Sequence, residues 1–266
     1  MTDSLADIDC LTRLTNCVEI FERLGDGPYT HGELKGAVGV TRVTLNQTPA
    51  SLEDRDWIIR DDSGYKTTTL GDLVSEDLWA LRETVALSHE LRNIQQYLPV
   101  EEFDFDLRLL QDGRITTPSK GDTTAPLRRS AEIIRTTTGQ IRRYGAAIDP
   151  PSVKAAVDSG TLSKERPTEL ILTDNSIDLI TSDSELTEWF SDLAVVDTTQ
   201  LFYYEGEFAY ALELFDGLIA IELNDKKGFV PALIESDDEA VLDWAERIYD
   251  RYKREARPIG PDAFAS

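Results

Sequence analysis

Polar side chains with hydrogen-bonding groups cluster between residues 30 and 66. The set comprises Thr30, Thr41, Arg42, Thr44, Asn46, Gln47, Arg60, Tyr65 and Lys66. A guanidinium can bind phosphate, or the O6 and N7 atoms of guanine, and amides and hydroxyls bind other base edges or phosphates. If these residues share one surface, their chemistry predicts contacts with the backbone and base edges of duplex DNA.

Local signals predict two short helices around these residues. Thr30 and Glu33 have the spacing of a capping box, in which the hydroxyl accepts from the N3 amide and the carboxylate accepts from the Thr30 amide. Gly39 suits a left-handed helix stop, and Thr41 is a suitable N-cap for the next helix. The pattern therefore predicts a helix, a tight turn and a second helix.

A β-hairpin is predicted after the second helix. Asp56 stands where such helices usually end in Gly, and Asp tolerates a left-handed backbone better than most residues. The strand 57–59, the turn 61–64 and the return strand 65–68 follow. Arg60 and Lys66 would face phosphates and Tyr65 would pack, while Asp61 and Asp62 at the turn oppose deep entry into the minor groove. The alternative is that these charges belong to a solvated hairpin end.

This order of elements resembles the winged helix-turn-helix family. The resemblance is carried by ELKGAVGVTRVTL (33–45) and LEDRDWIIRDDSGYKTTTLG (52–71), and it implies that the second of these helices enters the major groove. Gln47 departs from the Arg that relatives often carry, and Pro49 replaces a Leu. We expect a kink or an early break at Thr48–Pro49, because proline removes a helix hydrogen bond. The alternative is a domain that keeps this fold and binds protein.

The charge balance is strongly acidic. The 266 residues include 50 Asp and Glu against 27 Lys and Arg, a net charge of −23. Such surfaces are typical of proteins from salt-accumulating cells. At about 1 M salt the Debye length is near 3 Å, so the repulsion between the acidic protein and DNA is screened, and local contacts decide whether the protein binds DNA. The alternative is an acidic protein that avoids nucleic acid.

Several classes of protein lack support in the sequence. No apolar run approaches the length of a membrane span, and residues 1–30 lack the features of a signal peptide, so we expect a cytoplasmic protein. Cys10 and Cys17 lie about 10 Å apart along a helix, too far for a disulfide. With only His31 and His89 in the chain, we expect no metal site and no cofactor. No phosphate-binding loop or nucleophile elbow is present, so no catalytic residue is predicted.

Two further helices frame the first part of the chain. A stripe of Leu11, Leu14, Val18, Phe21 and Leu24 predicts a first helix over 9–24. Residues 69–98 predict one long helix, which either packs on the first helix or pairs with a second subunit, and we favour a homodimer. Pro99 would end it. The predicted layout is a DNA-binding domain at 1–68, a connecting helix and linker at 69–104, an effector domain at 105–258 and a tail at 259–266.

The second half alternates strands and helices, which predicts a mixed-sheet α/β domain and an α+β protein as a whole. Short strands or a turn are expected at 107–110 and 113–117. Strands are expected at 140–148, 169–173, 194–204, 208–214, 218–223 and 229–234. Helices are expected at 125–138, at 151–159 and at 174–191, the last capped by Asp174, and a final helix is expected after its cap Asp237.

This half resembles the effector domain of archaeal regulators of the methanogenesis regulatory protein type. The carrying stretches are FDLRLLQDGRITTP (105–118), ELILTDNSIDLI (169–180), YALELFDGLIAIEL (210–223) and ALIESDDEAVLDWAERIYDRYKREA (232–256). The resemblance implies a transcription regulator of the halophilic archaeal kind that senses a ligand. On a two-fold dimer, two reading helices would address an inverted-repeat operator.

The segment from Arg108 to Tyr144 reverses the local charge, with eight basic residues against three acidic ones. One interpretation is a set of internal ion pairs. The other is an anion-binding face for a small effector or for DNA backbone, with Arg128, Arg142 and Arg143 as its candidate residues. Arg142 and Arg143 are adjacent on a predicted strand, so their side chains must point to opposite faces.

Overall fold

The computed structural model describes residues 2–13, 17–38, 42–145, 153, 166–225 and 229–264. Side chains of residues 2, 3, 13, 35, 37, 38 and 42–47 also lie outside this description. The chain divides into two units, Met1–Ala86 and Leu87–Ser266, called here the first and second unit. The mixture of helices and sheet agrees with the α+β class predicted from the sequence.

The first unit contains helices and one hairpin. The helices are α1 (Thr2–Arg13), α2 (Cys17–Gly25), α3 (His31–Val38), α4 (Arg42–Glu53) and the part of α5 (Thr69–Leu91) up to Ala86, and the hairpin pairs β1 (Ile58–Asp61) with β2 (Gly64–Thr67). The helix predicted over 9–24 falls on α1 and α2, and residues 14–16 between them lie outside the described residues. Gly39 and Thr41 lie outside the described residues.

The capping box at the start of α3 forms as predicted. The Thr30 amide donates to Glu33 Oε2 at 2.8 Å, and the Glu33 amide donates to Thr30 Oγ1 at 3.3 Å. The Thr30 hydroxyl also donates to the same carboxylate at 2.7 Å. These bonds satisfy amides that the first turn of a helix leaves without internal partners, so they fix where α3 begins.

The corner between α4 and the hairpin follows the predicted backbone. Asp56 has φ of 56°, the left-handed conformation expected for it. The Trp57 amide then donates to the Leu52 carbonyl at 3.0 Å, and the Thr68 hydroxyl donates to the Asp56 carbonyl at 2.6 Å. The chain therefore reverses tightly from helix into strand.

Pro49 lies inside α4, which continues to Glu53. The predicted early break at Thr48–Pro49 was therefore wrong. Thr48 and Pro49 are both buried, and Leu52 on the following turn is fully buried. Burial of apolar surface on this side of the helix offsets the free-energy cost of the hydrogen bond that proline cannot donate.

An apolar core holds the elements of the first unit together. It comprises Cys17, Ile20, Phe21, Leu24, Leu34, Leu52, Trp57, Ile58 and Tyr65, with Val74 and Leu78 of α5 packed against it. Gly71 of α5 lies so close to β1 that a Cβ there would meet the Trp57 carbonyl oxygen at 1.8 Å. Helix α5 is thus joined to the hairpin through backbone contact.

Helix α5 ends at Leu91, earlier than the predicted Leu98. The Ile94 amide donates to the Leu91 carbonyl at 3.0 Å, and a short 3-10 helix, Gln95–Tyr97, follows. Ile94 is buried in the core of the second unit. Leu87 and Leu91 of α5 are buried in the same core.

The second unit is built on an eight-stranded mixed sheet. Its strands are β3 (Arg114–Thr116), β4 (Ile141–Tyr144), β5 (Thr168–Leu172), β6 (Thr199–Tyr203), β7 (Tyr210–Phe215), β8 (Leu218–Leu223), β9 (Ala232–Ser236) and β10 (Arg257–Ile259). Their order in the sheet is β10-β6-β5-β4-β7-β8-β9-β3. The β4–β5 and β5–β6 pairs are parallel, and the other pairs are antiparallel.

Helices pack against both faces of this sheet. Helix α9 (Glu239–Glu255) packs on one face through Val241, Trp244, Ala245, Ile248, Tyr249 and Tyr252. Helices α6 (Ala125–Thr136), α7 (Asp174–Thr181) and α8 (Ser184–Leu193) cover the other face. Because side chains alternate along a strand, neighbouring residues of β4 and β5 contribute to different helix layers.

Three other predictions for the second unit need correction. The helix predicted from Asp174 to Ser191 is two helices, because Asp183 caps α8 by accepting from the Glu185 and Leu186 amides at 3.0 and 3.1 Å. Thr173, not Asp174, is the N-cap of α7, and Asp238, not Asp237, is the N-cap of α9.

Two other segments of the second unit also differ from expectation. Leu107–Leu110, expected as a short strand or turn, is a 3-10 helix. The predicted tail, 259–266, begins in edge strand β10 and continues as the 3-10 helix Pro261–Phe264, whose Phe264 is fully buried against α8. The helix predicted over 151–159 lies outside the described residues, apart from Val153.

Candidate nucleic-acid interface and effector unit

The residues with base-reading chemistry fall at the start of α4. Thr41 lies outside the described residues, and the side chains of Arg42, Thr44, Asn46 and Gln47 do as well. The backbone of residues 42–47 belongs to the first two turns of α4. The structure thus brings these four residues onto one helix, as the sequence predicted.

Thr30 contributes to local structure in this chain. Its amide and its hydroxyl both engage Glu33, as described for the capping box. Hydrogen bonds from the Thr30 hydroxyl, and then from its amide, lower the pKa of Glu33. A phosphate at this position would compete with the Glu33 carboxylate for the same donors.

The hairpin places its three candidate residues in different environments. Tyr65 is buried, and its backbone forms a β-bridge with Tyr29 through hydrogen bonds of 2.8 and 2.9 Å. The Arg60 guanidinium lies over the Tyr65 ring, 5.4 Å from its centroid. Tyr65 is therefore a packing residue, as expected from the sequence, and it supports Arg60.

Lys66 is already paired in the hairpin. Its ammonium lies 2.6 Å from Asp61 Oδ2, and both side chains are partly exposed. Asp61 also accepts from the Ser63 amide at 2.8 Å. The Lys66 interaction, and then those with Ser63, hold the pKa of Asp61 well below its usual range. Sequence reasoning placed Asp61 at the turn but missed this pairing, which the five-residue spacing across a tight hairpin could have indicated.

The tip of the hairpin is fixed by a glycine. Gly64 has φ of +123°, and a Cβ at that position would meet the Tyr29 carbonyl oxygen at 2.4 Å. A larger residue would be strained by its backbone angle and would collide with the segment before α3. The hairpin and the entry to α3 are consequently held in one arrangement within the first unit.

The basic segment of the second unit is largely used in ion pairs. Arg108 pairs with Asp106, Arg128 with Asp122, Arg129 with Glu132 and Glu235, Arg142 with Glu246, and Arg143 with Glu213. This arrangement matches the first interpretation of the sequence, in which the segment forms internal ion pairs.

Arg142 and Arg143 point to opposite faces of the sheet, as predicted. Arg142 reaches Glu246 on α9 and lies over the Tyr249 ring at 5.5 Å. Arg143 pairs with Glu213 of β7, which also accepts from the Ser130 hydroxyl of α6 at 3.1 Å. Arg128 is an exposed residue on α6. The structure therefore does not bring these three candidate effector residues into one site.

Glu102 attaches the segment after α5 to the core of the second unit. Its carboxylate accepts from the Tyr210 and Tyr252 hydroxyls, both at 3.2 Å, and from Arg251 at 3.1 Å. Its carbonyl accepts from Trp244 Nε1 at 2.8 Å. Sequence reasoning assigned Glu102 to a linker and missed this role, because its partners lie more than a hundred residues away.

An aromatic cluster surrounds the Glu102 contacts. Tyr144 is buried among Phe208, Tyr210 and Tyr252, with ring centroids 4.6, 5.7 and 4.9 Å away. Burial, and then the neighbouring Tyr210, raise the pKa of Tyr144 far above its usual range. This cluster lies between the sheet and α9 and is packed as core.

The described part of the chain has neither a metal cluster nor a membrane-spanning helix. It contains no group of three or more His, Cys, Asp or Glu residues arranged to hold a metal ion. Among the same residues, none of the helices has both the length and the apolar character needed to cross a membrane.

Three solved structures were compared with the chain. TrmBL2, described as an archaeal chromatin protein with a novel mode of DNA binding, is 14% identical, with 90% of this chain and 92% of that chain covered and a TM-score of 0.39. NucT from Helicobacter pylori is 10% identical (56% and 99% covered, TM-score 0.40). The phospholipase D family member Nuc from Salmonella typhimurium is 9% identical (56% and 99% covered, TM-score 0.40). Because these TM-scores are below 0.5, the likenesses carry no argument about the function of this chain.

Two protein-family models match separate parts of the chain. No curated protein matches the chain. Residues 5–90 match the HVO_A0261 N-terminal domain, and residues 123–255 match the middle domain of the methanogenesis regulatory protein FilR1. The second match covers half of the chain and includes β4 to β9 and helices α6 to α9. The chain therefore belongs to the family of proteins defined by the FilR1 middle domain.

Proposed function

We propose that this protein is a DNA-binding transcription regulator whose first unit is a winged helix-turn-helix. The observation that carries the proposal is the succession of α3, α4 and the β1–β2 hairpin on one apolar core, with the hairpin bonded to the segment before α3. In this arrangement α4 would enter the major groove and the hairpin would be the wing. The matches to two regulator-type family models support the same function.

Each candidate residue has a distinct proposed role. Arg42, Thr44, Asn46 and Gln47 on α4 would contact base edges, and Thr41 would contact a phosphate at the start of that helix. Arg60, held over Tyr65, and Lys66 would contact phosphates from the wing. In this role Lys66 must exchange Asp61 for a phosphate oxygen.

An electrophoretic shift with the protein's own promoter at molar KCl tests DNA binding directly. Arg42→Ala should weaken specific binding by about 1–3 kcal/mol if Arg42 contacts a base, and by less if it contacts only phosphate. Arg92→Ala is the matched control, since Arg92 is an exposed arginine of the second unit. Equal affinities of the parent and Arg42→Ala would remove Arg42 from the reading helix.

A homodimer would allow the regulator to read an inverted repeat. Leu70, Leu73 and Leu81 of α5 are each more than half exposed, which is unusual for leucines aligned along one helix. We propose that α5 pairs with its copy and that two reading helices lie about one DNA turn apart. Footprinting of the promoter should show two protected half-sites with that spacing, and a single half-site would favour a monomer.

The second unit would sense an effector, and an anion is the chemistry that its arginines favour. Of the two arginines on the sheet, Arg142 is the more available, because its partner Glu246 is 47% exposed and could move into solvent. The partner of Arg143, Glu213, is only 1% exposed. We expect a phosphorylated metabolite that shifts DNA affinity in the parent to lose that effect in Arg142→Gln. A response unchanged in Arg142→Gln would place the effector elsewhere.

The second candidate function is a protein-interaction module that keeps the winged-helix fold. The pairing of Lys66 with Asp61, together with Pro49 and Gln47 on α4, favours it. The same electrophoretic experiment separates the two functions. A parent protein that shifts no promoter fragment from its own gene neighbourhood at any KCl concentration would support the interaction module.

A further inference from the structure

Helix α1 turns one face toward the rest of the first unit. Asp7, Cys10 and Leu11 are partly buried, whereas Leu5 and Ile8 are exposed. Positions 7, 10 and 11 are three and four residues apart, so they share one side of the helix. Leu11 packs against the core of the first unit. The two polar side chains of the same face, Asp7 and Cys10, contact the C-terminal end of α4.

Two contacts join α1 to the end of α4. Arg55 Nε donates to Asp7 Oδ1 at 2.7 Å, and Cys10 Sγ lies 3.2 Å from Ser51 Oγ. Arg55 Nη1 also donates to the Ser51 hydroxyl at 3.0 Å and to the Ser51 carbonyl at 2.8 Å. These four residues are therefore one connected set, which we call the α1–α4 clamp.

The clamp satisfies a backbone carbonyl at the end of α4. The last four carbonyls of an α-helix receive no amide from within the helix. In α4, the backbone amides that follow donate to the carbonyls of Ala50, Leu52 and Glu53 at 2.9 to 3.3 Å. The Ser51 carbonyl accepts from the Arg55 side chain, whose positive charge also suits the negative end of the helix dipole. Arg55 thus caps α4, and Asp7 of α1 holds this cap in place.

The core and the clamp contact α4 on two different sides. Thr48 and Leu52 are one turn apart and are both fully buried. Ser51 precedes Leu52 by one residue, which places it about 100° around the helix axis. Contact along one side would let the helix roll about its axis, and contact on two sides opposes this. A roll would carry residues 42–47 around the axis, because they belong to the same helix.

We infer that α1 positions the reading helix, and that Asp7, acting through Arg55, fixes the rotation of α4. This inference rests on the proposed function, in which α4 reads base edges, and it adds the element that aligns α4. Asp7 and Arg55 are positioning residues, and neither needs to touch DNA. Their side chains are 39 and 25% exposed, so water screens this pair less than it screens a fully exposed one.

The inference predicts an effect of unusual sign. Removal of an acidic residue ordinarily strengthens binding to DNA, because it reduces repulsion from the phosphates. Asp7→Asn should instead weaken binding to the specific site, because Arg55 loses its anchor. Glu22→Gln is the matched control. Glu22 pairs with Arg82 at 2.6 Å, so this variant also removes the acidic member of an ion pair in the first unit, but that pair joins α2 to α5.

Amide hydrogen exchange of the full chain without DNA tests the clamp itself. In Asp7→Asn the amides of residues 54–57, which close the end of α4, should exchange about fivefold faster than in the parent. The amides of α3 and of the hairpin should keep the parent's rates. Glu22→Gln should leave residues 54–57 unchanged. Equal exchange of residues 54–57 in Asp7→Asn and Glu22→Gln would overturn the inference.

DNA binding tests the alignment of α4. Fluorescence anisotropy compares a duplex of the protein's own promoter with a scrambled duplex of the same length at one KCl concentration. Asp7→Asn should bind the promoter about fivefold more weakly than Glu22→Gln does, and the two variants should bind the scrambled duplex equally. A loss of folded protein would weaken binding to both duplexes alike, so the ratio of the two affinities identifies a positioning role.

A double variant tests whether Asp7 acts through Arg55. Asp7→Asn added to Arg55→Gln should cause no further loss of promoter affinity. A full further loss in that background, or an Asp7→Asn variant that matches Glu22→Gln on the promoter, would overturn the inference. A parent that binds both duplexes equally would instead contradict DNA reading by α4, and the exchange experiment would still decide whether Asp7 holds the end of α4.

Discussion

Lys66 and Asp61 form a diagonal ion pair across the hairpin of the first unit, with the ammonium 2.6 Å from the carboxylate. The same carboxylate accepts a hydrogen bond from the Ser63 amide and so also fixes the conformation of the turn. One acidic residue therefore organises the hairpin and neutralises a basic residue that DNA binding would use. In a protein of net charge −23 this relationship limits how strongly the hairpin attracts phosphate.

Asp61→Asn should strengthen DNA binding. Asparagine keeps an oxygen that can accept the Ser63 amide, but it releases the charge of Lys66 for a phosphate. We expect affinity to rise about two- to fivefold at moderate salt, and the gain to shrink as KCl increases. Affinity can be measured by fluorescence anisotropy with a promoter duplex.

Asp62→Asn is the control for Asp61→Asn, because it removes the same charge from the next residue. Within the described structure Asp62 forms no ion pair. If both variants strengthen DNA binding equally, the effect comes from net charge, and the Lys66–Asp61 pair does not limit binding.

The capping box should make the first unit sensitive to acid. The pKa of Glu33 is lowered by the Thr30 hydroxyl, and the pKa of Asp61 is lowered by Lys66. A carboxylate whose pKa is lower in the folded state stabilises the fold above its unfolded pKa. That contribution is lost as pH falls through the folded pKa. The relevant window therefore begins near the ordinary values of 4.5 and 3.8 and extends below them.

Thr30→Ala tests the Glu33 part of this acid sensitivity. The variant should melt about 3 °C lower than the parent near neutral pH, because it loses an N-cap hydroxyl. The difference should narrow below about pH 4, where protonation weakens the cap in the parent as well. Melting curves at constant KCl measure both effects. A difference that stays constant down to about pH 3 would show that the Glu33 carboxylate does not contribute.

Pro49→Ala should stabilise the first unit. Helix α4 already continues through Pro49, so alanine would restore the missing amide donor without changing the path of the chain. Proline in a regular helix costs about 3 kcal/mol relative to alanine, and loss of the buried proline ring offsets part of that, which leaves a gain of about 1–2 kcal/mol. Denaturant unfolding measures the change. A less stable variant would mean that packing of Pro49 outweighs the hydrogen bond.

Arg143→Gln should destabilise the second unit far more than Arg142→Gln. Glu213 is 1% exposed, so removal of Arg143 leaves a buried carboxylate without its partner, at a cost of about 3–5 kcal/mol. Glu246, the partner of Arg142, is 47% exposed and remains hydrated, so that loss should be at most about 1 kcal/mol. Urea unfolding followed by tryptophan fluorescence compares the two variants.

The double variant Arg143→Gln with Glu213→Gln identifies the cause of that loss. If the buried Glu213 charge is responsible, the double variant should recover most of the stability, because the carboxylate that Arg143 neutralises is removed with it. A double variant as unstable as Arg143→Gln would instead point to lost packing of the arginine side chain.

The sequence alone determined the features that depend on residues a few positions apart. The Thr30–Glu33 capping box, the left-handed Asp56 and the hairpin after it follow from interactions within one or two turns of chain. The opposite directions of Arg142 and Arg143 follow from the alternation of side chains along a strand. The early break expected at Pro49 does not occur for the converse reason, since the burial that maintains α4 involves elements distant in the chain.

Only the tertiary structure decided which distant residues meet. Arg143 pairs with Glu213, and Glu102 accepts from Tyr210 and Tyr252, because the order of strands places them together. Each acidic residue of the sequence was an equally good partner for each arginine until packing of the two sheet faces selected one. Local propensity carries no information about that selection, which depends on how apolar surfaces are buried over the whole unit.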